Sequence, residues 1–182
     1  MKDTLEQANT YLKEGDFERA VEGFTASLSS ELKSVPALAG SALRGRGIAY
    51  FQLKNWKDAI SDFSKARDLD PEDLESGVGL GMSLAMDLQI YPAIDVLETL
   101  LQKHPDFVRG HIQLGFLYFR LAIIAKGRAH LEQALTSRPT LTERRLIEKT
   151  LKEQKQMDKK RFYRPDFEAL RRSGSGHDEK RV

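Results

Sequence analysis

Ala42-Leu43-Arg44-Gly45-Arg46-Gly47-Ile48-Ala49-Tyr50-Phe51-Gln52-Leu53, then Lys54-Asn55, then Trp56-Lys57-Asp58-Ala59-Ile60-Ser61-Asp62-Phe63-Ser64-Lys65-Ala66, is the stretch on which the fold turns. Leu43, Gly47 and Tyr50, and then Ala59, Phe63 and Ala66, recur at spacings of three and four, which is one face of a helix. The polar Lys54-Asn55 break divides the run into two helices. Small side chains mark where their axes approach, so Gly47 is expected to face Ala59. Pro71 stops the second helix, because proline cannot extend the backbone ladder.

The same template recurs on both sides. Gly47, Gly81 and Gly115 are separated by 34 residues, as are Ala59, Ala93 and Gly127, and Pro71, Pro105 and Pro139. An earlier copy supplies Ala8, Tyr11, Gly15, Asp16, Phe17, Ala20 and Phe24, and precedes the second by 39 residues, one period with a five-residue insertion. Periodicity of this length means a stack of small units, each burying its apolar face on the next.

Bulk properties fit one such array. The chain has 182 residues, 40% apolar and 31% charged. A net charge of +2 gives no argument for a nucleic-acid partner. Without cysteine there is neither a disulfide framework nor a thiolate site. Met1-Lys2-Asp3-Thr4-Leu5-Glu6 carries acids where a secretory leader needs an apolar core. The greasiest run, Leu114 to Ala125, is 12 residues long and contains Arg120, short of the ~20 that cross a bilayer. A cytoplasmic setting and no membrane partner are expected.

The ordered small and large apolar positions over two antiparallel helices resemble the tetratricopeptide repeat. Ala8-Asn9-Thr10-Tyr11-Leu12-Lys13-Glu14-Gly15-Asp16-Phe17-Glu18-Arg19-Ala20-Val21-Glu22-Gly23-Phe24 stands close to that family's consensus, and Ala66-Arg67-Asp68-Leu69-Asp70-Pro71 is its usual second-helix terminus. Copies three and four depart from it. Leu84 stands for the usual tyrosine, Leu88-Gln89-Ile90 and Ala122-Ile123-Ile124 for the Gly-Asp-aromatic turn, and Leu100 for a small residue.

The resemblance implies an all-α protein, a right-handed α-solenoid of four repeats over residues 2–34, 40–73, 74–107 and 108–141. A capping helix over 142–160 completes a solenoid domain of residues 1–160. In that helix Thr142 with Arg145 lacks a capping-box acid, while Leu141, Leu146, Ile147 and Leu151 form an apolar stripe within a charged sequence.

Chemistry is hard to place on this chain. His104 precedes Pro105 at a helix end, His111 and His130 fall on different repeats, and His177 lies in the tail, so no metal site is expected. Gly45-Arg46-Gly47 and Gly77-Val78-Gly79-Leu80-Gly81 lack a preceding strand and match no phosphate-loop fingerprint. Inside helices each glycine costs about 0.5–1 kcal/mol relative to alanine. Close packing explains Gly81; Gly77 and Gly79 imply a loosened or closely approached segment. No nucleophile lies beside a base. The expectation is a non-enzyme without cofactor.

In the resembled family the first helices line a concave face. The register places Leu5 and Asn9, then Arg44, Ile48 and Phe51, then Val78, Met82 and Met86, and finally Arg109, Ile112, Phe116, Phe119 and Arg120 on it. That is an apolar strip flanked by arginines, a surface suited to a peptide or helix of another protein. An adaptor, scaffold or chaperone-like role follows. If the strip docks the partner, Phe116→Glu with Met82→Glu abolishes capture while helicity stays.

The first two copies also look like cochaperone modules that clamp a chaperone's C-terminal carboxylate. Such modules need lysine and asparagine, then asparagine, then lysine and arginine, of which Asn9 alone is present. Leu5, Gly45, Glu75 and Gly79 stand at the other four, so convergent cations are missing.

Residues 161–182 form a separate segment. Lys159-Lys160-Arg161-Phe162-Tyr163-Arg164-Pro165-Asp166-Phe167-Glu168-Ala169-Leu170-Arg171-Arg172 alternates basic and aromatic residues, and Ser173-Gly174-Ser175-Gly176 opens a polar tail. It suits an amphipathic helix docking on the last repeats, contact with nucleic acid or acidic lipid, or a motif gripping a partner or a second copy of the chain. Two alternatives therefore stand beside the adaptor: a self-assembling scaffold using this segment, and a secretion-type chaperone shielding an apolar segment.

Overall fold

The computed structural model describes residues 2–29 and 35–161, and within them every regular element is an α-helix. The helices are α1 (Lys2–Glu14), α2 (Phe17–Ser29), α3 (Pro36–Gln52), α4 (Trp56–Leu69), α5 (Leu74–Met86), α6 (Ile90–Lys103), α7 (Val108–Arg120), α8 (Ile124–Thr136) and α9 (Leu141–Arg161). Pro36 occupies the first turn of α3, where its missing N–H costs nothing. Pro71, Pro105 and Pro139 follow the ends of α4, α6 and α8. The basic and aromatic segment after Arg161 lies outside the described residues.

Each helix packs on the next, and α1 with α3, α3 with α5, and α5 with α7 also touch across repeats. The odd-numbered helices are thus one continuous layer, the inner one of a two-layer helical stack. Its core is three clusters rather than one. Ala8, Ala20, Phe24, Ala42 and Ala49 join the first two hairpins. A central cluster runs from Ala59 and Phe63 through Leu97 to Tyr118, and Ile112, Leu131, Ala134 and Ile147 close the far end.

The hairpin turns keep one backbone geometry despite different residues. Gly15, Lys54, Leu88 and Ala122 all adopt positive φ, at 83°, 60°, 65° and 58°. The next residue then donates its N–H five residues back. Asp16 reaches Tyr11 O at 2.9 Å, Asn55 Tyr50 O at 2.9 Å, Gln89 Leu84 O at 2.8 Å and Ile123 Tyr118 O at 2.9 Å. This bond satisfies the carbonyls that a helix end leaves open. Glycine accepts the conformation freely, whereas each L side chain there costs roughly 1–2 kcal/mol. The departures in copies three and four therefore change the cost of the turn and leave its shape intact.

Two expectations need correction, and a third gains detail. The atoms nearest a Cβ added at Gly47 belong to the Phe63 ring, at 3.2 Å. Gly81 and Gly115 similarly face Leu97 and Leu131, with the Gly127 carbonyl also close to Gly115. The close approach is between glycine and a large side chain one turn farther along. The α9 start does carry a capping box, two residues before the expected place. Thr140 N–H donates to Glu143 Oε2 at 2.8 Å, and Glu143 N–H donates to Thr140 Oγ1 at 3.3 Å. Half of the α9 stripe is covered: Ile147 is buried and Leu151 packs beside it, while Leu141 and Leu146 are exposed. One neighbouring hairpin covers only one side of a terminal helix.

Candidate functional site

A cleft of about 450 Å³ opens on the inner layer between α3, α5 and α7. Helical spacing explains its lining: Arg44, Ile48 and Phe51 on α3, and Glu75, Val78, Gly79 and Met82 on α5, project from consecutive turns. Arg109 enters from α7, and Phe63 reaches in from α4. Ile48 is 37% exposed and Val78 only 1%, so Val78 is wall and Ile48 is rim.

Phe63 is the residue on which the cleft is built. Its ring occupies the space a Cβ at Gly79 would need, 2.5 Å from two ring carbons. Gly77 is approached in the same way by Leu100, at 2.3 Å. Both glycines are therefore closely approached rather than loosened. Leu100, large where the resembled family has a small residue, is accommodated by Gly77.

Two ion pairs fence the slot. Arg44 Nη1 donates to Asp73 Oδ2 at 2.7 Å, and Arg109 pairs with Glu75, its register neighbour one repeat earlier. Asp73 also accepts from Ser76 N–H at 3.3 Å and Ser76 Oγ at 2.7 Å, capping α5. Burial alone would raise the Asp73 carboxyl, but the Ser76 bonds and the Arg44 charge outweigh it and hold it below the usual carboxylate range. A partner's carboxylate would compete with Asp73 or Glu75 for these arginines.

Of the expected partner-binding residues, the cleft brings together Arg44, Ile48, Phe51, Val78, Met82 and Arg109. Leu5 packs against the first core cluster, and Asn9 Nδ2 donates to Leu5 O at 2.9 Å within its own helix. Met86 is exposed but outside the cleft. Ile112, expected on the surface, is 3% exposed because α8 and α9 close over it. Phe116 and Phe119 pack against that same cluster, and the Phe119 ring fills the space beside Gly127. Phe116→Glu would therefore disturb the fold as well as the surface. Arg120 Nη1 donates to Ala85 O at 3.2 Å, tying α7 to α5. Phe63 and Gly79 were not expected at the cleft; the surplus of glycine in Gly77-Val78-Gly79-Leu80-Gly81 was the signal for them.

Two further clusters stand apart. Arg46 forms a fork on Asp62, at 2.7 and 2.8 Å, and reaches Thr25 Oγ1 at 3.0 Å. The Asp62 hydrogen bond raises the guanidinium pKa further still. His111 and His130, expected on different repeats, both belong to the fourth hairpin, and their Nδ1 atoms lie 3.0 Å apart. No group of three or more histidine or acidic side chains among the described residues is arranged to hold a metal ion. No described helix is long and apolar enough to cross a membrane.

Residues 5–73 match the family model described as tetratricopeptide repeat. The chain matches the tetratricopeptide-repeat family over this part of its length. A 100-residue stretch, 55% of the chain, is 29% identical to sperm-associated antigen 1 of Mus musculus, and the same holds for the Rattus norvegicus protein. The matched stretch is 10% of the length of those relatives. Among solved structures, MamA residues 41-end from Desulfovibrio magneticus RS-1 superimposes with a TM-score of 0.65 at 24% identity, covering 88% of this chain and 94% of that one. The second tetratricopeptide domain of human RPAP3, in complex with an HSP70 peptide, gives 0.56 at 23% identity, covering 63% and 91%. The first such domain of Spaghetti (RPAP3), bound to an HSP90 peptide, gives 0.58 at 24%, covering 65% and 90%. At these identities the likeness establishes the shared helical-repeat fold.

Proposed function

We propose that this tetratricopeptide-repeat stack is a non-catalytic protein-interaction module, an adaptor or chaperone-like subunit that seats an apolar-anchored peptide or helix in the α3–α5–α7 cleft. The observation that carries it is the cleft itself, where Ile48, Phe51, Val78 and Met82 form one apolar wall on the inner layer. A slot of about 450 Å³ takes one or two large side chains. The RPAP3 domains, which hold HSP70 and HSP90 peptides, support peptide capture as the mode. Their ligands, SGPTIEEVD and SRMEEVD, are acidic at the C-terminus. Leu5, Gly45, Glu75 and Gly79 deprive this chain of the matching polar groups, so its partner is recognised by apolar anchors. The unit comprises the four repeats and the capping helix over residues 1–160, with residues 161–182 apart from it.

The test is selection of displayed peptides on the immobilised chain, followed by affinity measurement with Ile48→Glu and Met82→Glu combined. Both side chains are partly exposed, so helicity is retained. Wild type enriches peptides with aromatic or aliphatic anchors, and the double variant loses at least tenfold in affinity, the equivalent of about 1.4 kcal/mol. Equal binding by both proteins would place the partner elsewhere.

A further inference from the structure

The turns joining α5 to α6 and α7 to α8 depart from the first turn in one direction. The first, Glu14-Gly15-Asp16-Phe17-Glu18, is acidic and gives its positive-φ position to glycine. Leu88 and Ala122 hold that position in the later turns, at φ 65° and 58°, a conformation that an L side chain adopts only at a cost. Neither side chain is buried in return: Leu88 is 80% exposed, and Ala122 is exposed too. Beside them Tyr91 and Ile123 are 71% and 40% exposed. Apolar groups that cost the fold stability and stay in water are explained by something outside the chain.

These side chains share one edge of the stack. Each helix packs on the next, so the odd-numbered helices run parallel and the turns that follow them line up. The end of α9 joins this edge, because Asp158 is paired at 3.0 Å with Arg128, near the start of α8. Exposed lysines surround the apolar tips: Lys54 and Lys57 at the second turn, Lys126 on α8, and Lys155 and Lys159 on α9. Of the nearby acids, Asp158 is taken by Arg128, and Asp58 and Asp87 accept amide hydrogens from Asn55 and Gln89 at 2.6 and 2.7 Å. The cations outnumber them. From the end of α9 the sequence runs on into Phe162-Tyr163-Arg164, basic and aromatic again. None of these residues lines the α3–α5–α7 cleft.

We propose that this edge is a peripheral docking surface for an anionic lipid bilayer. Leu88, Tyr91 and Ile123 enter the headgroup region, and the lysines lie over the lipid charges. Apolar tips ringed by lysine match the acyl–headgroup boundary of such a membrane in both polarity and sign. A second copy of the chain would bring the same lysines face to face, which charge opposes. Projecting turn tips also suit a deformable surface better than a peptide, which needs a groove. No described helix can cross a bilayer. The expectation of no membrane partner concerns spanning and does not extend to surface contact. Docked this way, the module leaves its cleft open to a protein partner.

Co-sedimentation of the full chain with mixed phosphatidylcholine–phosphatidylserine vesicles, and with phosphatidylcholine alone, tests this. The chain binds the mixed vesicles about tenfold more tightly and is released by added salt. Leu88→Gly with Tyr91→Ser lowers that affinity about tenfold. Because Leu88→Gly relieves a strained turn, the loss comes without a fall in melting temperature. Lys126→Gln with Lys159→Gln weakens binding as well. The chain has no cysteine, so a polarity-sensitive dye on Gln89→Cys reports on the edge. The same dye on Gln133→Cys, exposed at the opposite end of α8, is the control. Only the first shifts to the blue with vesicles. Equal affinity for both vesicle types, or binding to neither, would overturn the proposal. So would full binding by Leu88→Gly with Tyr91→Ser, which would assign the lipid to residues 162–182. Self-association of the wild type that this double variant abolishes, in place of vesicle binding, would overturn it in favour of a second copy.

Discussion

Gly79→Ala sets two effects of opposite sign against each other at the cleft. Alanine improves helix propensity by about 1 kcal/mol. Its Cβ would lie 2.5 Å from two carbons of the Phe63 ring, well inside the ~3.5–4.0 Å contact distance. Phe63 is 2% exposed and lies 3.2 Å from the Cβ position of Gly47 on its other side. It cannot retreat without parting α3 from α4. Overpacking of this kind costs about 1–3 kcal/mol, so the net result is a loss of about 1 kcal/mol. In a Phe63→Leu background the steric conflict goes, because the register equivalents of Phe63 and Gly79 one repeat on are Leu97 and Gln113, a leucine paired with a residue that carries a Cβ. There the propensity gain emerges and Gly79→Ala stabilises. The cycle thus has a coupling of about 2 kcal/mol, readable from urea midpoints followed by helicity. Equal stabilisation in both backgrounds would refute the packing account.

Other expectations follow from the same geometry. Leu88→Gly relieves a positive-φ turn at an 80% exposed position, raising stability by about 1 kcal/mol, and an unchanged melting temperature would count against strain. Asp62→Ala leaves the Arg46 guanidinium without its fork and costs about 3 kcal/mol. Adding Arg46→Met recovers part of that loss, as urea unfolding of the single and double variants would reveal. Asp73, whose folded pKa lies below its unfolded one, contributes stability above about pH 3.9. That contribution disappears as pH drops through the lower folded value, so Asp73→Asn flattens the acid limb of a stability–pH curve below about pH 4.

The helical repeat was legible because small residues and prolines keep register over 34 residues, and periodicity survives even where copies drift. The cleft was legible only in part. Register places a residue on the inner layer but not beside a cleft, and Ile112 and Val78, both buried, occupy equivalent positions with different surroundings. Val78 lines an open slot, whereas Ile112 is sealed by α8 and α9. The Phe63–Gly79 contact links helices of different repeats, a relation that no spacing within one copy encodes. Glycine in excess of helical need was its trace. The His111–His130 pair was missed for a simpler reason: the two residues are 19 apart, and only an antiparallel turn brings that separation together.

Phe63 also bears on how the modules depend on one another. It lodges against Gly47 of its own hairpin and Gly79 of the following one, so a single ring is keyed to two different repeats. Leu100 with Gly77 adds a second such key inside the third. Replacing any copy by an idealised consensus would leave a lock without its matching notch. Shuffled or shortened versions of this chain would thus forfeit cooperativity at the joint between copies two and three, and that joint is where the slot lies.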